Sequence, residues 1–163
     1  TLEPKVKQPE EGKSNSTDGK NESETVTNKT AFLTLEGWSS YGGIKPTYNS
    51  VTQKITFNGK FTDSAGYVKE QASGLSLSGK KLILSINNSA QSSFDNNKMF
   101  KLNVNGTALI PENKNRKNAN DSQYINAGDG IVTFKLPEKV TKVELVFFNA
   151  SLNNLEISGV VSD

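Results

Sequence analysis

Phe100-Lys101-Leu102-Asn103-Val104, followed at once by Asn105-Gly106, is the stretch that decides the fold. Apolar and polar residues alternate strictly, which is the pattern of a strand with one face buried. Asn-Gly is the dipeptide of a tight hairpin turn. The same alternation recurs at Val132, Phe134 and Leu136; at Leu82, Leu84 and Ile86; at Val143, Leu145 and Phe147; and more briefly at Ile55 and Phe57 and at Leu155 and Ile157. Turn residues punctuate the runs at Asn58-Gly59, Asp63-Ser64-Ala65-Gly66, Ser78-Gly79, Gly128-Asp129-Gly130 and Pro137-Glu138. No stretch carries a helical period with caps. Roughly eight to ten short, evenly spaced strands predict an all-β fold, an antiparallel β-sandwich of jelly-roll type, over residues 31–163. Ile55, Phe57, Leu82, Leu84, Ile86, Phe100, Leu102, Val104, Val132, Phe134, Leu145 and Phe147 form the expected core. Pro111–Ser122, Asn- and Lys-rich, is expected to be a long exposed loop.

Residues 1–30 differ. Pro, Glu, Lys, Ser, Thr and Asn dominate there, and so few apolar residues cannot offset the entropy of ordering a chain. The segment reads as a disordered, mixed-charge linker, and a linker implies a tethered partner such as another domain or an anchor. A chain that opens on Thr1, with no signal peptide in view, reads as a fragment or a mature form.

Composition narrows the function. The 163 residues hold 19 basic and 17 acidic side chains, scattered, so no basic stripe argues for nucleic acid. No apolar run is long enough to span a membrane. The absence of cysteine fits a secreted or cell-surface bacterial protein without disulfides, and does not exclude a cytosolic one. Histidine is absent as well, which removes the commonest general base and metal ligand. Seven Asn-x-Ser/Thr sequons, from Asn15 to Asn149, are what a chain this rich in Asn, Ser and Thr produces by chance.

Catalysis would rest on carboxylates. Glu36, Glu144 and Glu156 fall on expected strands and could meet across a sheet as a glycosidase pair, but nothing in their spacing demands it. The other acidic residues fall mostly in turns. Gly42-Gly43 and Gly128-Asp129-Gly130 lack the strand–loop–helix context of a phosphate cradle. Asp129, Asp163, Glu36 and the Asn carbonyls are of the type that binds calcium, without any calcium-loop spacing. No cofactor is expected, and a structural calcium ion is left open. An enzyme is not expected.

The aromatic residues point elsewhere. The eight Phe residues mostly take alternating inward positions. Trp38, the only tryptophan, sits instead in Gly37-Trp38-Ser39-Ser40-Tyr41-Gly42-Gly43, and Tyr48, Tyr67 and Tyr124 also fall in or beside turns rich in Gly, Ser, Thr and Asn. Flat rings stack on the C–H faces of sugars, while hydroxyls need amide, carboxylate or amine partners. Lys69, Gln71, Asn87, Lys101 and Asn103 are placed on strands to supply them. The candidate ligand-binding set is Trp38, Tyr41, Tyr48, Tyr67, Lys69, Gln71, Asn103 and Tyr124. The competing reading makes Trp38 a buried sandwich tryptophan and the tyrosines caps on the core edges.

The cadence Trp38-Ser39-Ser40-Tyr41-Gly42-Gly43, then Ile55-Thr56-Phe57-Asn58-Gly59, then Gly66-Tyr67, then Leu75-Ser76-Leu77-Ser78-Gly79 leading to Leu82, resembles jelly-roll carbohydrate-binding modules attached to secreted bacterial polysaccharide-degrading enzymes. Val143–Asn149 and Leu155–Ile157 look like the paired last strands of such modules. The resemblance covers residues 31–163 and is one of pattern. It implies a non-catalytic glycoside hydrolase accessory domain that binds a plant cell wall or microbial polysaccharide such as β-glucan, xyloglucan or xylan, with Trp38, Tyr41 and Tyr67 on or beside the ligand face. A single Trp departs from the several that such modules often show, and favours a groove for single glycan chains over a flat crystalline platform. Polysaccharide and a linked catalytic domain are then the expected partners. The alternative is a cell-surface adhesion or protein-interaction β-sandwich module.

Overall fold

The computed structural model describes residues 30–162, with side chains from Ala31. The expected linker, except for the backbone of Thr30, lies outside the described residues. The described residues from Ala31 onward form one compact unit. Eleven strands build it: β1 (Thr30–Ala31), β2 (Trp38–Tyr41), β3 (Lys45–Asn49), β4 (Lys54–Glu70), β5 (Lys81–Asn87), β6 (Ser93–Phe94), β7 (Lys98–Val104), β8 (Thr107–Ala108), β9 (Ile125–Asn126), β10 (Gly130–Lys135) and β11 (Lys142–Ser162). Short 3-10 turns occur at Asp95–Asn97 and Lys114–Arg116. The fold is all-β.

Two long strands run through the whole sheet and pair antiparallel with each other. In one half, the start of β4 lies between β3 and the end of β11, which then pairs with β5, and β5 with β10. In the other half, the end of β4 lies between β2 and the start of β11, which pairs with β7, and β7 with β8. Phe57 shows that this sheet folds over on itself. Its backbone partner on β11 is Leu155, yet its ring is 5.9 Å from that of Phe147. A straight strand would hold the Phe147 and Leu155 rows about 26 Å apart. The bend is made at two irregularities in β11, between Phe148 and Ala150 and between Leu152 and Leu155, where Asn149 (φ 47°) and Asn154 (φ 52°) take left-handed backbone. Extra residues of this kind bend a strand and strengthen its twist. The architecture is antiparallel and compatible with a sandwich of jelly-roll type.

All twelve expected core residues are buried, joined by Phe32, Leu33, Leu77, Met99, Ile125 and others. Phe147 packs at its centre, within 6.5 Å of the rings of Phe57, Phe61 and Phe100. The Asn105-Gly106 turn joins β7 to β8 with both residues at positive φ (53° and 85°), as the tight turn requires.

Three local expectations are corrected. Asn58-Gly59 and Asp63–Gly66 are not turns but lie inside β4. Asn58 bonds instead across the bend, its Nδ2 donating to Asn154 Oδ1 at 2.9 Å and its Oδ1 accepting from Asn154 N at 2.9 Å. A Cβ on Gly59 would fall 2.6 Å from the Gly43 carbonyl oxygen, so this glycine serves a close approach of backbones. Two of the strands, β4 and β11, are accordingly long and continuous, beside shorter ones of the expected kind.

The third correction concerns Pro111–Ser122, which is not simply exposed. Arg116 and Asn118 are buried. The Arg116 guanidinium donates to the carbonyls of Asn126, Gly128 and Asp129 at 2.9–3.2 Å. Burial lowers its pKa, and Asp129 opposes that shift. Asn118 donates to Asn96 O and Asn126 Oδ1, and accepts from the amides of Asn120 and Asp121. A polar loop can be held inward only when such bonds replace water. The same segment runs along β10, with Glu112 N donating to Thr133 O and Thr133 N to Asn113 Oδ1, which covers an otherwise open strand edge.

Candidate functional site

The strand pairings sort the candidate residues between two faces. Tyr67, Leu145 and Leu102 are paired across β4, β11 and β7, and all three are buried. Side chains alternate along a strand, so their neighbours point the other way. Val68, Glu144 and Asn103 form one outward row, and Gly66, Val146 and Lys101 the next. Tyr41 pairs with Gly66 and joins the second row from β2.

Tyr41 is the exposed aromatic of this face, at 42%. Its ring lies across Gly66: a Cβ there would come within 2.5–2.7 Å of Tyr41 Cε2, Cζ and Oη. Gly66 is therefore the bed on which the ring lies flat. The Tyr41 hydroxyl reaches on to β11 and donates to Glu144 Oε2 at 2.5 Å. Two supports, a glycine beneath and a carboxylate at the tip, fix the ring before any ligand arrives.

The rest of the face is aromatic and polar. Tyr124, 6% exposed, lies beneath Lys98 and Lys101, whose ammonium groups are 5.1 and 5.4 Å from its ring centroid. Lys98 is also 5.5 Å from the ring of Phe148, the next outward residue of β11 after Val146. Asn103 faces Glu144 across the β7–β11 pair, and its Oδ1 is enclosed without a hydrogen-bond partner. The face thus joins one presented ring to a carboxylate, an amide and two ammonium groups.

Burial, then the hydrogen bond and charge of Glu144 and the nearby Tyr124, push the Tyr41 pKa up to about 12. Burial raises Tyr67 and Tyr124 as well, with Asp121 adding to the shift at Tyr124. A proton held more tightly in the folded state contributes stability in full below the unfolded pKa of 10.0. That stability is lost as pH rises through the folded values. Thermal melts are therefore expected to hold steady up to about pH 10 and to fall between about pH 10 and 12. In Tyr41→Phe the fall should be shallower. A melting temperature flat across that window would contradict the assignment of Tyr41 as donor to Glu144.

Three of the eight candidates, Tyr41, Asn103 and Tyr124, therefore meet on one face, with Lys101. The others do not. Tyr67, 1% exposed, points inward, and its hydroxyl donates to the Thr34 carbonyl. Trp38 is half-buried on the same inner side. Its ring stacks on Tyr67 at 4.7 Å and 5°, meets Phe32 edge-on at 5.2 Å, and donates from Nε1 to Phe32 O at 3.1 Å. Tyr48 is half-buried against the core from edge strand β3, opposite Ile55. Lys69 lies over the Phe32 ring at 5.4 Å. Gln71 stands just past β4 with its amide on Ser73 Oγ at 3.0 Å. The expectation that Trp38, Tyr41 and Tyr67 share one surface is corrected, because alternation along β2 places Trp38 and Tyr41 on opposite faces.

Phe148 and Lys98 were not singled out from the sequence, and Glu144 was weighed only as a catalytic carboxylate. The signal for Glu144 and Phe148 is the alternation itself: Val143, Leu145 and Phe147 point into the core, so Glu144, Val146 and Phe148 take the other face, where Val146 is itself covered. Glu36 precedes β2 rather than lying on a strand, and Glu144 and Glu156 sit in different halves of the sheet, the latter 3.8 Å from Lys54 Nζ. Among the described residues no group of three or more Asp or Glu side chains is placed to hold a metal ion, and Asp163 lies outside them. No helix among the described residues is long and apolar enough to cross a membrane.

No protein-family model, curated protein or solved structure matches the chain.

Proposed function

We propose that residues 31–163 are a non-catalytic carbohydrate-binding module that holds a polysaccharide of the β-glucan, xyloglucan or xylan type and targets a linked enzyme to it outside the cell. The observation that carries this reading is the Tyr41 ring, laid over Gly66 and tied to Glu144 on an outward sheet face. A ring held in that way offers one free π face to the C–H face of a sugar at small entropic cost. Lys101 and Glu144 are the polar groups that sugar hydroxyls require beside it, with Asn103 paired against Glu144. Modest affinity suffices, because a tether supplies effective concentration.

Affinity electrophoresis of the folded chain through gels containing mixed-linkage β-glucan, xyloglucan or xylan tests the reading. Retardation by at least one polymer is expected, and it should persist in high salt, since stacking and neutral hydrogen bonds are not screened. Tyr41→Ala is expected to weaken binding at least about tenfold, the loss of one stacking contact, with a melting temperature lowered only modestly by loss of the Glu144 hydrogen bond, so that retention is compared where both proteins are folded. Gly66→Ala should weaken binding similarly by lifting the ring. Gly66 is not among the glycines at positive φ, so alanine suits its backbone. Unchanged retardation of Tyr41→Ala would overturn the assignment of this face. No retardation of the wild type by any polymer would shift the reading to a protein-binding module.

A further inference from the structure

We propose a second saccharide-binding site, separate from the Tyr41 face: an open groove at the bend of the sheet that takes one pyranose ring of a neutral glycan between Phe61 and Phe94. The groove encloses about 490 Å³, within the usual range for small-molecule sites, and runs over the middle of β4, β11 and β6. This inference rests on the glycan reading above but uses none of its residues.

The register makes the geometry. Ala150 of β11 pairs with Phe61 of β4 on one side and with Phe94 of β6 on the other. The two phenylalanines therefore rise from strands about 10 Å apart, with a methyl group as the floor between them. A flat ring touching a carbon surface on each side needs about 7 Å. Both phenyl rings are half-buried, supported from behind by the core, Phe61 against Phe147 at 6.5 Å. Each thus keeps a free portion without needing to be ordered by the ligand. A larger residue at 150 would fill the slot.

The polar lining fits hydroxyls better than ions. Thr62, Ser93 and Ser151, with Lys60, Asp95 and Asn149, alternate with the phenylalanines and the alanine and form the polar rim of the groove, with one charge of each sign. Charges that cancel give no net pull on an acidic or basic polymer, whereas donors and acceptors in alternation match the rim of a sugar. One residue of the lining and the two that follow Asp95 also hold left-handed backbone. Asn149 in β11, and Asn96 and Asn97 just after Asp95, have left-handed φ of 47°, 51° and 63°. Bulges and strained residues of this kind concentrate where a strand must aim a side chain at a ligand.

Isothermal titration of the folded chain with cellohexaose and xylohexaose tests the proposal, using five variants: Tyr41→Ala, Ala150→Leu, and Tyr41→Ala combined with Phe94→Leu, with Ala150→Leu, or with both. Phe94→Leu keeps apolar bulk and removes the flat face, and melting curves check that each variant is folded. Tyr41→Ala is expected to leave residual binding of at least one hexasaccharide. Phe94→Leu in the Tyr41→Ala background should weaken that residue of binding about tenfold, and the Ala150→Leu combination should abolish it. Should Tyr41→Ala alone abolish all binding, the groove proposal falls and the outer-face reading stands. Should Tyr41→Ala bind as wild type while Ala150→Leu abolishes binding, the groove stands and the outer-face assignment falls. Unchanged binding in a folded Ala150→Leu, Phe94→Leu double variant of the Tyr41→Ala protein also overturns the groove, as does failure of the wild type to bind either sugar.

Discussion

Phe147→Ala is expected to cost about 3–5 kcal/mol of folding stability, the range for emptying a phenylalanine site in a packed core, and to lower the melting temperature by on the order of 15 °C. The reason is position. Phe147 is fully buried and in ring contact with Phe57 and Phe61 of β4 and with Phe100 of β7. It also lies two residues before Asn149, where β11 begins to bend. A cavity there loosens the contact between the two halves of the sheet as well as removing buried carbon surface. Chemical denaturation measured by near-UV circular dichroism checks the figure, and a loss below about 1 kcal/mol would mean that the halves do not meet at Phe147.

Trp38→Ala is expected to cost about 2–4 kcal/mol, somewhat less than a fully buried tryptophan because the residue is only partly buried. The change removes a parallel stack on Tyr67, an edge contact with Phe32 and the hydrogen bond to Phe32 O. It also uncovers Tyr67, whose hydroxyl is tied to Thr34. Glycan retention, measured at a temperature where the variant is still folded, is expected to match the wild type, because Trp38 and Tyr41 occupy opposite faces of β2. A normal melting temperature with lost retention would reverse this and make Trp38 the binding residue. The pair Trp38→Ala and Tyr41→Ala thus separates a fold-bearing aromatic from a ligand-bearing one within a single four-residue strand.

The period-two runs made the core legible. Each expected inward residue of Phe100–Val104, Val132–Leu136 and Val143–Phe147 is buried, because alternation is a property of the strand itself and needs no knowledge of its neighbours. The lengths of β4 and β11 were less legible. Asn58-Gly59 carries turn chemistry, yet the chain continues extended there because Asn154 satisfies Asn58 and the Gly43 backbone closes on Gly59. Local turn preference, worth little by itself, yields to pairing on both sides. The loop Pro111–Ser122 misled in the same way: its polarity reads as exposure until the carbonyls of Asn126, Gly128 and Asp129 are found waiting for Arg116.

Period-two alternation is enough to show that the chain after residue 30 is built of strands and which side of each regular strand is apolar, and composition shows that neither histidine nor cysteine is available for chemistry. Those are consequences of residue type and of a repeat two residues long. Which tyrosines share a face depends on how distant strands come together. Tyr41 meets Glu144, far along the chain, because β2 lies beside β4 and β4 beside β11, and that order depends on long-range pairing. Tyr67 and Trp38 turned inward for the same reason. An aromatic residue next to glycines can cover a core or face a ligand with equal local propensity, and the strand register, which moves a side chain to the other face with each single-residue step, makes the choice.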